Sequence, residues 1–219
     1  MLLSRSQFDD KLEGGRLNIA FIGMSNIGKS YLSKHIEEHN GFARIDVDKQ
    51  IQIELGLTSM SAIADWLGHP YDTQYQTNAR AYLKHEGIIS LNETTEGGNT
   101  VLDTTGSVIH LAKTTQNKIK ARYLVVYLKA SEDDLVMLKE RYFRHPKPTI
   151  WPQQFIAKMD DSTSASGKNA LMHLFPNLLA YRAGLYENMS DIIIPAQNFH
   201  GKLTNNEGIL AKIRSALTP

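Results

Sequence analysis

Short apolar runs alternate along the chain with longer stretches in which apolar residues recur at helical spacing. Leu17 to Ile22 (LNIAFI), Phe42 to Ile45 (FARI), Thr100 to Asp103 (TVLD), Arg122 to Leu128 (RYLVVYL) and Asp191 to Pro195 (DIIIP) are runs of the first kind. Brief, nearly continuous apolar segments bounded by Gly, Asp or Pro read as strands buried on both faces of a parallel sheet. Between them the spacing predicts helices. One follows Lys29 through Leu32 and Ile36 to Asn40-Gly41, and one is capped by Asp48 and runs through Ile51, Ile53 and Leu55. Another opens at Thr58–Ser61 and breaks at Gly68-His69-Pro70, and a fourth spans about 71 to 86 with Tyr71, Tyr75, Ala79 and Tyr82 on one stripe. Ser131 and Asp134 form a capping box before Leu135, Leu138 and Tyr142. A Leu171–Tyr186 stripe, divided at Pro176, and a closing helix at about 205 to 217 complete the pattern.

This alternation predicts an α/β fold, a doubly wound parallel sheet in one domain over 1–219 with its core at about 15 to 195. The opening MLLSRSQFDDKLEGG has three acids against two bases and no apolar run, so it reads as a mobile arm or amphipathic lead-in rather than a signal peptide. A Glu/Thr/Gly-rich loop is expected between Glu86 and Asn99, and a long excursion from Trp151 through the polar DDSTSASGK.

Composition narrows the chemistry. In 219 residues, 24 Lys+Arg face 23 Asp+Glu, so there is no basic footprint for nucleic acid and any anion site must be local. The absence of cysteine excludes disulfides, thiolate metal sites and cysteine nucleophiles, and fits a cytoplasmic protein. No segment approaches the ~18 apolar residues of a membrane helix.

The first strand runs directly into Gly23-Met24-Ser25-Asn26-Ile27-Gly28-Lys29-Ser30 and then a helix, which is G-x-x-x-x-G-K-S in the setting a phosphate loop requires. Glycines 23 and 28 allow a tight turn whose N–H groups approach phosphate oxygens, and the helix start adds unpaired N–H groups. Lys29 would reach the outer phosphates and the Ser30 hydroxyl would ligate magnesium, with Ser25, Asn26, Ile27 and Tyr31 completing the nucleotide cradle. Asp46 and Asp48 follow the second strand, at the end where parallel sheets collect ligands. One would support magnesium and the other accept a proton from an attacking hydroxyl; the simpler reading of Asp48 is a helix cap. Asp103 closes an apolar strand in the manner of a Walker B acid, and Thr104–Ser107 would form a hydroxyl-rich lip. Lys139, Arg141, Arg144 and Lys147 crowd a helix end before two prolines, either as a cationic mobile loop or as charges opposite the helix dipole.

Five segments in register resemble shikimate kinase, of the nucleoside-monophosphate-kinase-like phosphate-loop kinases. They are IGMSNIGKS (22–30), IDVDKQIQIELGLT (45–58), VLDTTGSVI (101–109), VVYLKASEDDLVMLKER (125–141) and LLAYRAGLYENMSDIII (178–194). The resemblance implies an ATP- and Mg2+-dependent kinase acting on a small hydroxylated metabolite, without nucleic acid or membrane, as a monomer or weak homodimer. It implies Lys29 and Ser30 on the phosphates, Asp46 on magnesium, Asp48 as base and substrate contact, Arg182 on a substrate carboxylate, and Arg144 or Lys147 on a lid at about 142 to 170. Departures accompany it. Gly68–Thr73 lacks the family's carboxylate-gripping arginine, for which Arg80 is the expected substitute. The family's triple-glycine turn keeps only Gly106, so that the side chains of Thr105 and Ser107 are expected to crowd the ring site. The alternative is a kinase-like protein that binds nucleotide or metabolite and regulates without catalysis.

Overall fold

The computed structural model describes residues 3–92, 98–159, 164–199 and 207–219. Five strands, β1 (Asn18–Ile22), β2 (Ala43–Asp46), β3 (Thr100–Asp103), β4 (Leu124–Lys129) and β5 (Ile192–Pro195), form one sheet in the order 2-3-1-4-5. All neighbouring pairs are parallel. Each strand lies where an apolar run was expected, and the three central ones, covered on both faces, have no polar side to display. The central three are buried almost throughout. Register sets Phe21 beside Asp103 and Asp103 beside Asp46, so two acids and the start of the Gly23–Ser30 loop share one end of the sheet.

The helices depart from the expected pattern in instructive ways. The opening segment is a lead-in helix, α1 (Arg5–Glu13), with a Ser4/Gln7 capping box. It pairs with the last helix, α10 (Glu207–Ser215), through a bidentate Arg214–Asp9 contact. After β1 comes α2 (Lys29–Asn40). Asp46, not Asp48, caps α3 (Val47–Glu54): its carboxylate accepts from the Lys49 N–H, which places Asp48 inside the first turn. Next are α4 (Met60–Leu67), capped by Ser59, and α5, which starts at Tyr75 and extends to Ser90. Helix α6 (Lys113–Arg122) was not foreseen, since of KTTQNKIKAR only Gln116 and Ile119 are buried.

The Ser131/Asp134 capping box opens α7 (Glu132–Arg144) as expected. Lys139, Arg141 and Arg144 therefore belong to that helix and not to a loop. A short α8 (Gln153–Ile156) precedes α9 (Ser164–Met189), which is continuous through Pro176. A proline inside a helix forfeits one backbone hydrogen bond, but its neighbours Leu174, Phe175, Leu178 and Leu179 are all buried and hold the helix to the core. Of the expected polar excursion, residues 160–163 lie outside the described residues and the helix already begins at Ser164. Parts of the Glu/Thr/Gly-rich loop (93–97) and of the closing helix's expected start lie outside them too. Among the described residues no helix is long and apolar enough to cross a membrane.

Candidate active site

The phosphate loop is a tight curl between β1 and α2. Gly23 sits at φ 146°, Asn26 at φ 67° and Gly28 at φ 109°. A Cβ on Gly23 would lie 2.9 Å from the Leu128 carbonyl, so the close approach of the loop to β4 demands glycine. Gly23→Ala should lower stability by more than ~1 kcal/mol in urea unfolding and weaken nucleotide binding by calorimetry, because it adds both a clash and a disfavoured φ. An unchanged unfolding midpoint would show that the loop has room to relax.

Lys29 is buried, and its ammonium donates to the carbonyls of Gly23 (3.0 Å) and Met24 (2.9 Å). The loop thus wraps its own lysine. Burial lowers the Lys29 pKa to about 8, opposed first by the charge of Asp103 and then by that of Asp48. Asp48 moves the other way: burial raises its carboxyl to about 6 against the pull of Lys29 and Lys147. The Tyr82 hydroxyl donates to Asp48 Oδ1 at 3.3 Å. Lys29 and Asp48 line one cavity of about 190 Å3 with Ser25, Ser30, Arg141 and Lys147. Contiguous with it, through Asn26, Gly28, Tyr31 and Arg141, a groove of about 410 Å3 runs past Ile27 to Phe199. The two volumes suit a polyphosphate and the base attached to it.

The turn after β3 stands at the same end of the sheet. The Thr104 hydroxyl donates to the Phe21 carbonyl at 2.6 Å, tying the turn to β1. Thr105 and Ser107 do not form a lip and do not crowd the cleft: their hydroxyls donate to the two oxygens of Glu86, each at 2.5 Å, in the buried interior. Burial lifts the Glu86 carboxyl to about 7, although these two donors favour its charged form. Nothing in the α5 sequence marked Glu86; its partners come from the next strand's end. Between the two hydroxyl-bearing residues, Gly106 is left without a side chain where a Cβ would lie 2.6 Å from Ser25 Oγ. Its carbonyl accepts from the Arg182 guanidinium and, at 2.5 Å, from the Tyr186 hydroxyl. Arg182 Nε is buried and without a partner among the described residues.

Two expected residues stand elsewhere. Arg80 is exposed on α5, donates to its own helix at the Gln76 carbonyl, and lines a separate groove with Leu83 and His110; it does not replace the missing arginine. Arg144 is exposed at the end of α7 and lines none of these cavities. Beside Arg141, the expected lid cation that reaches the cavity is Lys147. It lines the phosphate cavity and a neighbouring cavity of about 240 Å3 formed with His69, Asp72, Tyr142 and Thr149. The segment carrying Lys147 is held down by Tyr75, whose hydroxyl accepts from Trp151 N–H (2.7 Å) and donates to the Thr149 carbonyl (3.1 Å). In the Gly68–Thr73 stretch, Asp72 accepts from the His69 N–H at 2.6 Å and serves the turn itself.

A magnesium ion held by a nucleotide keeps most of its waters and needs only one or two protein oxygens. The donors present fit that demand: the Ser30 hydroxyl lies on the phosphate cavity, and Asp46 and Asp103 end adjacent strands beside the loop. Among the described residues no group of three or more His, Cys, Asp or Glu side chains forms an all-protein cage.

Comparison with known proteins bears on the fold and the family. No family model matches the chain. A shikimate kinase of Wigglesworthia glossinidia brevipalpis is 30% identical over 177 residues, covering 81% of this chain and 85% of that protein. One from Actinobacillus succinogenes is 26% identical over 197 residues, covering 87% and 91%. The solved shikimate kinase of Acinetobacter baumannii in complex with shikimate superposes with a TM-score of 0.56 at 19% identity, covering 94% of this chain and 97% of that one. That of Bacteroides thetaiotaomicron gives 0.55 at 15% identity, covering 91% and 97%. The superpositions speak for the fold, and the curated relatives speak for descent. With its phosphate loop, its 2-3-1-4-5 parallel sheet and these relatives, the chain belongs to the shikimate kinase family of phosphate-loop kinases.

Proposed function

We propose that the protein transfers the terminal phosphoryl group of ATP to a hydroxyl of a small hydroxylated acid, with shikimate the first candidate. The observation that carries this reading is the pair of opposite charges, a buried Lys29 and a half-buried Asp48, on the wall of one cavity next to the phosphate loop. Phosphoryl transfer asks a protein mainly for positioning and for charge stabilisation. Loop N–H groups and Lys29 would bind the outer phosphates once the ammonium exchanges the Gly23 and Met24 carbonyls for phosphate oxygens. Lys147 would supply a second positive charge from across the cavity. Asp48 would accept the alcohol proton as that oxygen bonds to the γ-phosphorus and the bond to the β-phosphate oxygen breaks. Ser30 would hold magnesium, which supplies charge neutralisation across the phosphates.

Arg182 and Lys147 are the cations available to an acceptor carboxylate, since Gly68–Thr73 brings none. Mixing the protein with Mg-ATP and shikimate, gluconate, neutral polyols or nucleosides, and following ADP release, tests the reading. Release stimulated by a hydroxylated acid, with a phosphomonoester seen by phosphorus NMR, is the expected outcome. Nucleotide binding with no acceptor-stimulated release would overturn it in favour of a binding or regulatory role.

A further inference from the structure

The two strand-end acids beside the phosphate loop are not equivalent, and the difference is made by Arg44. This arginine sits on β2, two residues before Asp46, and its side chain crosses to both carboxylates. One terminal nitrogen donates to Asp46 Oδ2 at 2.6 Å and to Asp103 Oδ2 at 2.7 Å, while Nε donates to Ser33 Oγ at 3.1 Å. A looser contact of 3.9 Å reaches Glu37. The guanidinium is thus anchored on α2 and spans the ends of two neighbouring strands.

Each oxygen of Asp46 is already engaged: Oδ2 by Arg44 and Oδ1 by the Lys49 N–H, as the cap of α3. Asp103 is different. Its side chain is only 3% exposed, Oδ2 is held by Arg44, and Oδ1 is buried with no partner among the described residues. A buried carboxylate oxygen without a donor is costly unless something else satisfies it. The charge of Asp103 reaches the site, since among the charges acting on Lys29 it is the strongest. Waters on a magnesium ion are hydrogen-bond donors, and they seek a carboxylate oxygen of this kind.

We propose that Arg44 is a positioning residue that commits Asp46 to capping α3 and leaves Asp103 Oδ1 as the carboxylate oxygen that receives the metal's water shell. This rests on the kinase reading above and reverses the role expected of Asp46 from the family resemblance.

The test is calorimetric titration with a non-hydrolysable ATP analogue, with Mn2+ and with EDTA, and the readout is the Mn2+-dependent gain in affinity. Asp103→Asn should lose about 10- to 100-fold of that gain, the usual cost of removing an outer partner of a metal site. Asp46→Asn, whose one remaining oxygen can still cap the helix although it gives up the bond from Arg44, should change it less than Asp103→Asn does. In the double variant Arg44→Met with Asp103→Asn, the freed Asp46 should restore part of the gain, a rescue that a purely structural Arg44 would not produce. A gain lost in Asp46→Asn and kept in Asp103→Asn would overturn the proposal, and so would a gain kept in both. Wild-type protein that fails to bind the analogue under either condition would overturn the kinase reading itself, and this assignment with it.

Discussion

Lys29→Ala is expected to lower kcat for phosphoryl transfer by about 10²- to 10³-fold, the range found when one preorganised charge or donor is removed from a developing anion. The reason lies in where the ammonium is kept. It is buried under the loop and bonded to two carbonyls of that loop, so it is in place before nucleotide arrives and need not be recruited from solvent. A charge held beside the site in this way has only to exchange those two carbonyls for phosphate oxygens to act on the transition state. The same burial complicates the variant, because alanine leaves the Gly23 and Met24 carbonyls without their donor. Lys29→Met is therefore the companion: it leaves the same two carbonyls without a donor but keeps most of the volume, so it separates lost packing from the lost ammonium. Steady-state kinetics on both variants, with circular dichroism to show that each is folded, decides the matter. If Lys29→Met turned over like wild type, the ammonium would have no part in the chemistry.

The parts of this site that could be read from sequence are those held by short-range pattern. The phosphate loop is contiguous and bracketed by a strand and a helix, so eight residues and their neighbours declare it. Asp103 closes an apolar run and Asp48 follows the end of β2 in the first turn of α3, and the end of a parallel strand is where a polar side chain meets the cleft. What could not be read depends on partners distant in the chain. Arg144 and Lys147 are near neighbours in a basic stretch. Which of them lines the cavity beside the loop is set by Tyr75 gripping the backbone of Thr149 and Trp151, a contact 74 to 76 residues away. Glu86 gave no signal on its own helix, because its meaning comes from Thr105 and Ser107 bonding to it. Those two replacements in a glycine turn suggested an obstructed acceptor site, and the buried acid shows how they are accommodated. Asp46 was legible as an acid near the loop, but only the path of Arg44 shows that it is occupied.

The largest expected loss is at Asp48. Asp48→Asn should reduce kcat by about 10²- to 10⁴-fold, the span of a positioned general base, while leaving nucleotide affinity nearly unchanged. Asparagine keeps the size and can still accept from Tyr82, so the variant isolates the proton acceptor from the architecture around it. The wild-type pH profile offers an independent check. Asp48 must be a carboxylate to take a proton, and burial holds its pKa up at about 6, so kcat/KM should fall as the pH drops through that value. Lys29 must be an ammonium to hold the phosphates, and burial brings its pKa down to about 8, so kcat/KM should fall again as the pH rises past it. The result is a bell with its plateau between about 6 and about 8, reporting the free enzyme. In Asp48→Asn the acidic limb should vanish and the basic limb should remain. A variant that kept the acidic limb would assign that proton to another group and remove Asp48 from the chemistry, even if its kcat were low.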